Sequence, residues 1–230
     1  MPKTLLAIGA HYDDCVFGIP GILLQAVRKH YRVVVLSIIG DYSNWTPVRG
    51  REKELIDGTT RLSRDLGVET RYLKYASHRF EVTEETKRAV SEVVADVQPD
   101  VGFLLWRQDR HRDHEVAAEL ANLALRHGDR LLAKPVPFKA PRSIYAYDNG
   151  PRHTIGFEPN TYVDISAEWE QAIGWLGRFM ALVANKAYDG KDLDGAQRAK
   201  EALARYRGQA CGVRYAEAVW SANLHPQDIL

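Results

Sequence analysis

Short apolar runs without polar alternation set the strongest constraint on how this 230-residue chain folds. KTLLAIGA (residues 3–10), YRVVVLSIIG (31–40) and VGFLLW (101–106) carry aliphatic side chains on consecutive positions. A strand built from them is apolar on both faces, which is the pattern of an interior strand in a parallel sheet covered by helices on each side. Between the first two runs, Ile19, Ile22, Leu23, Ala26 and Val27 recur at helical spacing and predict a helix over about residues 18–30. The segment reads as a βαβ unit.

The alternation continues along the chain. Leu55, Leu62 and Leu66 mark a helix stopped by Gly67, and VETRYLKY (68–75) follows as a strand. Val90, Val93, Val94 and Val97 stripe the next helix, which Pro99 ends. After VGFLLW, Val116, Ala117, Leu120, Ala121 and Ala124 form one more helical face. SIYAY (143–147) and TYVDI (161–165) read as later strands, and Trp169, Ile173, Leu176, Met180, Val183 and Ala187 as a long helix followed by the polar loop DGKDLDG. The expectation is an α/β protein: a single domain over 1–230, with a Rossmann-like, doubly wound, mostly parallel sheet and helices on both faces.

Composition excludes several classes. With 45% hydrophobic residues the chain can build a sizeable core, and 31 Lys and Arg against 30 Asp and Glu leave a net charge of +1. No global field draws the protein to nucleic acid or to an anionic membrane. No run approaches the ~18 apolar residues of a membrane span. Only Cys15 and Cys211 are present, too few for a disulfide framework. LLAIGA is too short, and too soon followed by His11, Asp13 and Asp14, for a signal peptide. The expected setting is cytoplasmic, with oligomeric state left open.

Ligands of an open parallel sheet collect beyond the carboxyl ends of its strands. AHYDD (10–14) follows the first apolar strand, and RQDRHRDHE (107–115) follows VGFLLW, so both belong on one sheet edge. Together they supply His11, Asp13, Asp14, His111, Asp113 and His114, the imidazole and carboxylate vocabulary of a catalytic metal. Two histidines and one carboxylate suffice for a zinc that keeps one position open. A remaining carboxylate then serves as base, and a remaining histidine meets an oxyanion. Other readings of the same residues are an aspartate pair capping a helix, or a solvated charged helix start. Formally, His11, Asp13 and His114 also fit a non-haem iron triad. GIPG (18–21) lacks the G-x-G-x-x-G of a dinucleotide site.

These residues resemble the LmbE-like, or PIG-L, family of zinc-dependent N-acetyl-sugar deacetylases. AHYDDCVFGIPG (10–21) is similar to the family's A-H-P-D-D-E motif with its glycine-rich helix start, and HRDH (111–114) to its H-x-D-H. Further along, RGREKELIDGTTRLSRDLGV (49–68) resembles its R-x-x-E segment, TYVDIS (161–166) its V-D-I-T/S, and GVRYAEAVW (212–220) its C-terminal Tyr-Ala-Glu-Ala. The resemblance implies a Zn²⁺ site, open to another divalent metal such as Fe²⁺, with His11, Asp14 and His114 as ligands. It further implies Asp13 as general base, His111 as oxyanion stabiliser and Arg51 as a substrate contact. The implied substrate is a small N-acetylated sugar or glycoconjugate.

Two departures stand inside the first motif: Tyr12 for the usual proline and Cys15 for the usual glutamate. Pro20 also replaces a glycine. They motivate an alternative, a non-catalytic metal- or glycan-binding relative. Substrate contacts are expected from the loops at residues 41–50 and 148–160, with His153 and Tyr145 as candidates and Trp45, Trp106 and Trp220 as core or stacking surfaces.

Overall fold

Thr4–Gly9 (β1) is buried at all six positions, so it requires a hydrogen-bonded strand on each edge and a helical layer on each face. A computed structural model, describing residues 2–133 and 136–222, supplies both. β1 pairs in parallel with Arg32–Asp41 (β2) on one side and Val101–Leu105 (β4) on the other. Val68–Ala76 (β3) extends the parallel sheet beyond β2, and Ser143–Tyr147 (β5) extends it beyond β4. Two antiparallel strands finish it: Ala216–Trp220 (β7) lies between β5 and Thr161–Asp164 (β6). The seven-stranded order is β3-β2-β1-β4-β5-β7-β6. The fold is therefore α/β with a mostly parallel sheet, as the apolar runs predict.

Strand order reverses at β1, because β2 and β3 progress to one side and β4 lies on the other. A crevice opens where the connections leave β1 and β4 in opposite directions. The two polar motifs follow these two strands.

Helices Glu84–Val97 (α4) and Arg112–Leu131 (α5) pack on each other, while Pro20–Arg28 (α2) and Glu52–Arg64 (α3) pack on Trp169–Val183 (α6). α4 begins with a capping box between Thr83 and Thr86, and Gly67, at φ +80°, ends the connection out of α3. None of the described helices is long and apolar enough to cross a membrane.

Two boundaries differ from the sequence expectation. The helix expected to carry its stripe as far as Ala187 ends as α6 at Val183, and Asn185 follows at φ +50°. The helix expected over about 18–30 begins earlier, as Asp14–Gly18 (α1), and breaks at Ile19 (φ −137°, ψ 37°) before α2 starts at Pro20. Proline lacks an N–H and pushes its predecessor out of the α region. The break frees backbone groups, and the C-terminal part of the chain satisfies them. Lys200, on Gly195–Cys211 (α7), donates to the Gly18 carbonyl at 2.8 Å. Glu217 on β7 accepts the N–H groups of Gly21 (3.0 Å) and Ile22 (2.8 Å). Lys200 and Glu217 pair at 2.8 Å with both side chains buried. Gly18 is required for the close approach, since a Cβ there would lie 2.3 Å from the Tyr147 ring.

Candidate metal centre

Beyond Gly9 the chain turns sharply, and the turn is closed by Asp14. Its Oδ2 accepts the N–H groups of Ala10 and His11, each at 2.7 Å, and Oδ1 accepts Asn149 Nδ2 at 2.8 Å. Neither aspartate caps α1 with its side chain: Asp13 occupies the N-cap position without a side-chain hydrogen bond. The carboxylates are left for the cleft.

The second motif is shaped by its own local bonds. Asp109 accepts the His111 N–H at 2.8 Å. His111, at the N-cap of α5, accepts the Asp113 N–H on Nδ1 at 3.3 Å. A ring that accepts on Nδ1 carries its proton on Nε2, so His111 presents a neutral donor. His114 sits in the first helical turn, its ring 4.9 Å from that of His111 and nearly parallel to it.

Three donor atoms from the two motifs converge. His11 Nδ1 lies 3.2 Å from His114 Nε2 and 3.5 Å from Asp14 Oδ2, and His114 Nε2 lies 3.2 Å from Asp14 Oδ1. The edge of a tetrahedron drawn with bonds of ~2.0–2.1 Å is about 3.3 Å, so these separations fit a zinc-like ion. The outer nitrogens are backed by carboxylates: His11 Nε2 lies 3.2 Å from Asp113 Oδ2, and His114 Nδ1 lies 3.1 Å from Asp109 Oδ2 in an ion contact off the ring's N–H direction. Asp113 is itself held by the Ser77 hydroxyl at 2.5 Å and the His78 N–H at 2.9 Å. Carboxylates behind imidazoles orient the rings toward a metal and raise their basicity.

The charge distribution asks for a cation. Burial opposes charge on His11 and His114, yet Asp14 together with Asp113 beside His11 and Asp109 beside His114 outweighs it and raises them to about 9 and about 10. Burial likewise opposes charge on Asp14, but the two imidazoles hold it well below the usual carboxylate range. Asp13 behaves in the opposite way, pushed up to about 6 by burial and by the neighbouring Asp14. His111 is lowered to about 4 by burial and by the charges of His11 and His114.

A cleft of about 1140 Å³ opens onto this cluster, lined by His11, Asp13, Asp14, His111 and His114 among others. Of the seven site residues singled out in the sequence, these five line the cleft, and Asp113 stands behind His11 instead. Arg51 does not line it. At the N-cap of α3, its guanidinium donates to the carbonyls of Leu182 (3.2 Å) and Val183 (3.0 Å), the open end of α6, and pairs with Glu54 at 3.6 Å. Its donors are spent joining two helices.

The remaining candidates divide. Asp41, Tyr42, Asn44 and Trp45 of the first loop, and residues 148–154 of the second, line the cleft, His153 included. Tyr145 instead stacks on Phe103 within the sheet, 5.3 Å between rings. Tyr12 packs its ring among Tyr42, Trp45 and Phe179, and Cys15 is buried with its thiol 3.2 Å from the Tyr147 hydroxyl. Burial raises that thiol far above its usual range, so Cys15 is a packed small residue. Sequence reasoning assigned no role to Asp109, Ser77 or Asn149. Asp109 was legible as one more acid in the second motif. Ser77 and Asn149 lie on loops with no motif of their own.

The overall likeness to solved structures extends along the whole fold. The 4-carboxy-2-hydroxymuconate hydratase GalB from Pseudomonas putida superposes with a TM-score of 0.80 at 18% identity, covering 99% of each chain. The conserved protein TT1542 from Thermus thermophilus gives 0.78 at 23% identity, over 99% of this chain and 98% of that one. The N,N'-diacetylchitobiose deacetylase from Pyrococcus horikoshii gives 0.77 at 20% identity, over 95% and 83%. These likenesses establish the fold. The sequence profile of the PIG-L family, GlcNAc-PI de-N-acetylase, matches residues 6–125, more than half of the chain and both polar motifs. This chain belongs to the PIG-L family.

Proposed function

We propose that the protein is a metal-dependent amidohydrolase that removes an N-acetyl or similar N-acyl group from a small sugar-containing molecule. The observation that carries this reading is the convergence of His11 Nδ1, Asp14 and His114 Nε2 at 3.2–3.5 Å in a cleft also lined by Asp13 and His111. Those three residues would hold zinc or another divalent ion such as Fe²⁺. When bound, such an ion supplies Lewis acidity, polarising a carbonyl and lowering the pKa of water toward about 7.

The chain's own residues account for the proton and the charge. Asp13, raised to about 6, is ionised at neutral pH yet basic enough to accept a proton from the attacking water. His111 stays neutral and offers Nε2–H to the oxyanion that forms as the amide carbon becomes tetrahedral. Asp113 and Asp109 keep the imidazoles of His11 and His114 aimed, and Asn149 does the same for Asp14. Tyr42 and Trp45 line the cleft, a wall suited to the apolar face of a sugar ring.

Family membership supports amide hydrolysis. The fold alone does not choose the reaction, since it is shared with proteins named as deacetylases and with one named as a hydratase. Tyr12 and Cys15 remove no donor from the cluster, which weighs against the non-catalytic alternative. The test combines metal analysis of the purified protein with acetate release from a panel of N-acetylated sugars. Asp13→Asn should abolish acetate release, by at least about 100-fold on the scale of general-base loss, with metal content unchanged. A metal-loaded protein that releases no acetate across the panel would leave the binding-protein reading standing instead.

A further inference from the structure

Arg207 is a guanidinium without adequate partners. It lies on α7 and lines the cleft, with its side chain 11% exposed. Its Nε is fully buried and makes no hydrogen bond. The one acidic group beside it, Asp148, stands 3.6 Å away, beyond hydrogen-bonding distance. Guanidinium offers five N–H donors in a planar fork, and a buried donor left unpaired costs more than an ordinary hydrogen bond returns.

The surroundings fix where the missing partner belongs. The guanidinium carbon lies 5.4 Å from the Phe157 ring centre and 5.7 Å from that of Tyr206. Arg152 lines the same cleft and makes no ion pair among the described residues. Asp148 balances the charge of Arg207 without saturating its donors. The residue after Asp148, Asn149, donates to Asp14, so the segment beside Arg207 also reaches the candidate metal centre. A cleft of about 1140 Å³ is far larger than an acetamido group needs.

We propose that Arg207, assisted by Arg152, binds an oxyanion carried by the substrate, so that the cleft selects acetamido compounds bearing a carboxylate or a phosphate over neutral ones. The inference deepens the deacetylase reading and takes its acetamido group from it. A planar fork matches two oxygens of either anion, which a lysine, as a point charge, does not.

Calorimetric titration tests it without relying on turnover. The probes are N-acetylglucosamine, N-acetylglucosamine 6-phosphate and N-acetylmuramic acid. They are titrated into the full chain and into Arg207→Gln and Arg207→Lys, with thermal melts to establish folding. The wild type should bind at least one of the two anionic sugars tenfold or more tighter than the neutral one, and whichever it prefers identifies the oxyanion. Arg207→Gln should erase that preference while leaving the affinity for N-acetylglucosamine within about twofold, and Arg207→Lys should retain only part of it. Equal affinities in the wild type, or a preference that survives Arg207→Gln, overturn the proposal. If Arg207→Gln does not fold, an unaltered preference in Arg207→Lys overturns it equally. Acetate release measured in parallel separates the two claims. Anion preference without acetate refutes the deacetylase reading alone, and acetate release without anion preference refutes the role of Arg207 alone.

Discussion

Asp109 and Asp113 distinguish His114 and His11 from histidines that any polar loop could carry. Each sits behind one imidazole at 3.1–3.2 Å and is buried. Removing such a carboxylate from behind a ligand typically costs about 10- to 100-fold in metal affinity. Asp109→Asn should weaken zinc binding by that factor in a chelator competition, and an unchanged affinity would strip Asp109 of the orienting role. The same residues set a pH dependence in the metal-free protein. Burial alone would lower His11 and His114, but Asp14, with Asp113 beside His11 and Asp109 beside His114, prevails and raises them to about 9 and about 10. A pKa raised above its unfolded value of about 6.5 contributes stability that is complete below that pH and lost as pH climbs through the folded values. The metal-free protein should therefore melt at progressively lower temperature between about pH 6.5 and 10. A flat profile would show that the surrounding carboxylates do not hold the two protons. Asp13 and Asp14, adjacent and chemically identical in the sequence, diverge for the same reason: Asp14 faces two imidazoles, and Asp13 faces Asp14.

At the scale of elements, the break between α1 and α2 is the point where one proline reshapes the site. Pro20 ends α1 after five residues, and the groups it frees are met by Lys200 and Glu217 from elements 182 to 196 residues later in the chain. Lys200 and Glu217 form a buried pair, so removing one partner leaves the other's charge uncompensated, at a cost of roughly 3–5 kcal/mol. Glu217→Gln should lower the denaturant midpoint accordingly. The double variant Lys200→Met with Glu217→Leu should lose clearly less than the sum of the two single changes, and strict additivity would show that the groups act independently. The helix α7 itself escaped the sequence reading because it buries Gln197, Lys200, Ala204 and Gly208. Such a stripe, half polar and half small, has no apolar period to detect. β7 was visible only as part of a family motif, and its antiparallel seat between β5 and β6 depends on pairing that no local signal encodes.

Across the whole molecule, the cleft joins segments distant in the chain, so an ion bound there would tie folding to ligand supply. A metal that binds only the folded state stabilises by about 2.7 kcal/mol at a hundred times its dissociation constant. Zinc should accordingly raise the melting temperature of the wild type and leave that of His114→Ala unmoved, while a chelator reverses the gain. Equal shifts in both proteins would place the ion elsewhere. The sequence by itself determined the parallel sheet, because consecutive buried aliphatics leave β1, β2 and β4 no other stable setting. It also determined the local content of both polar motifs, because each is short and lies directly after a strand. Only the tertiary structure decided which carboxylate faces which imidazole, that Arg51 ties α3 to the end of α6, and that Arg207 reaches the cleft with its donors unpaired. Those outcomes depend on distances between residues up to about two hundred positions apart, and composition and periodicity carry no record of such distances.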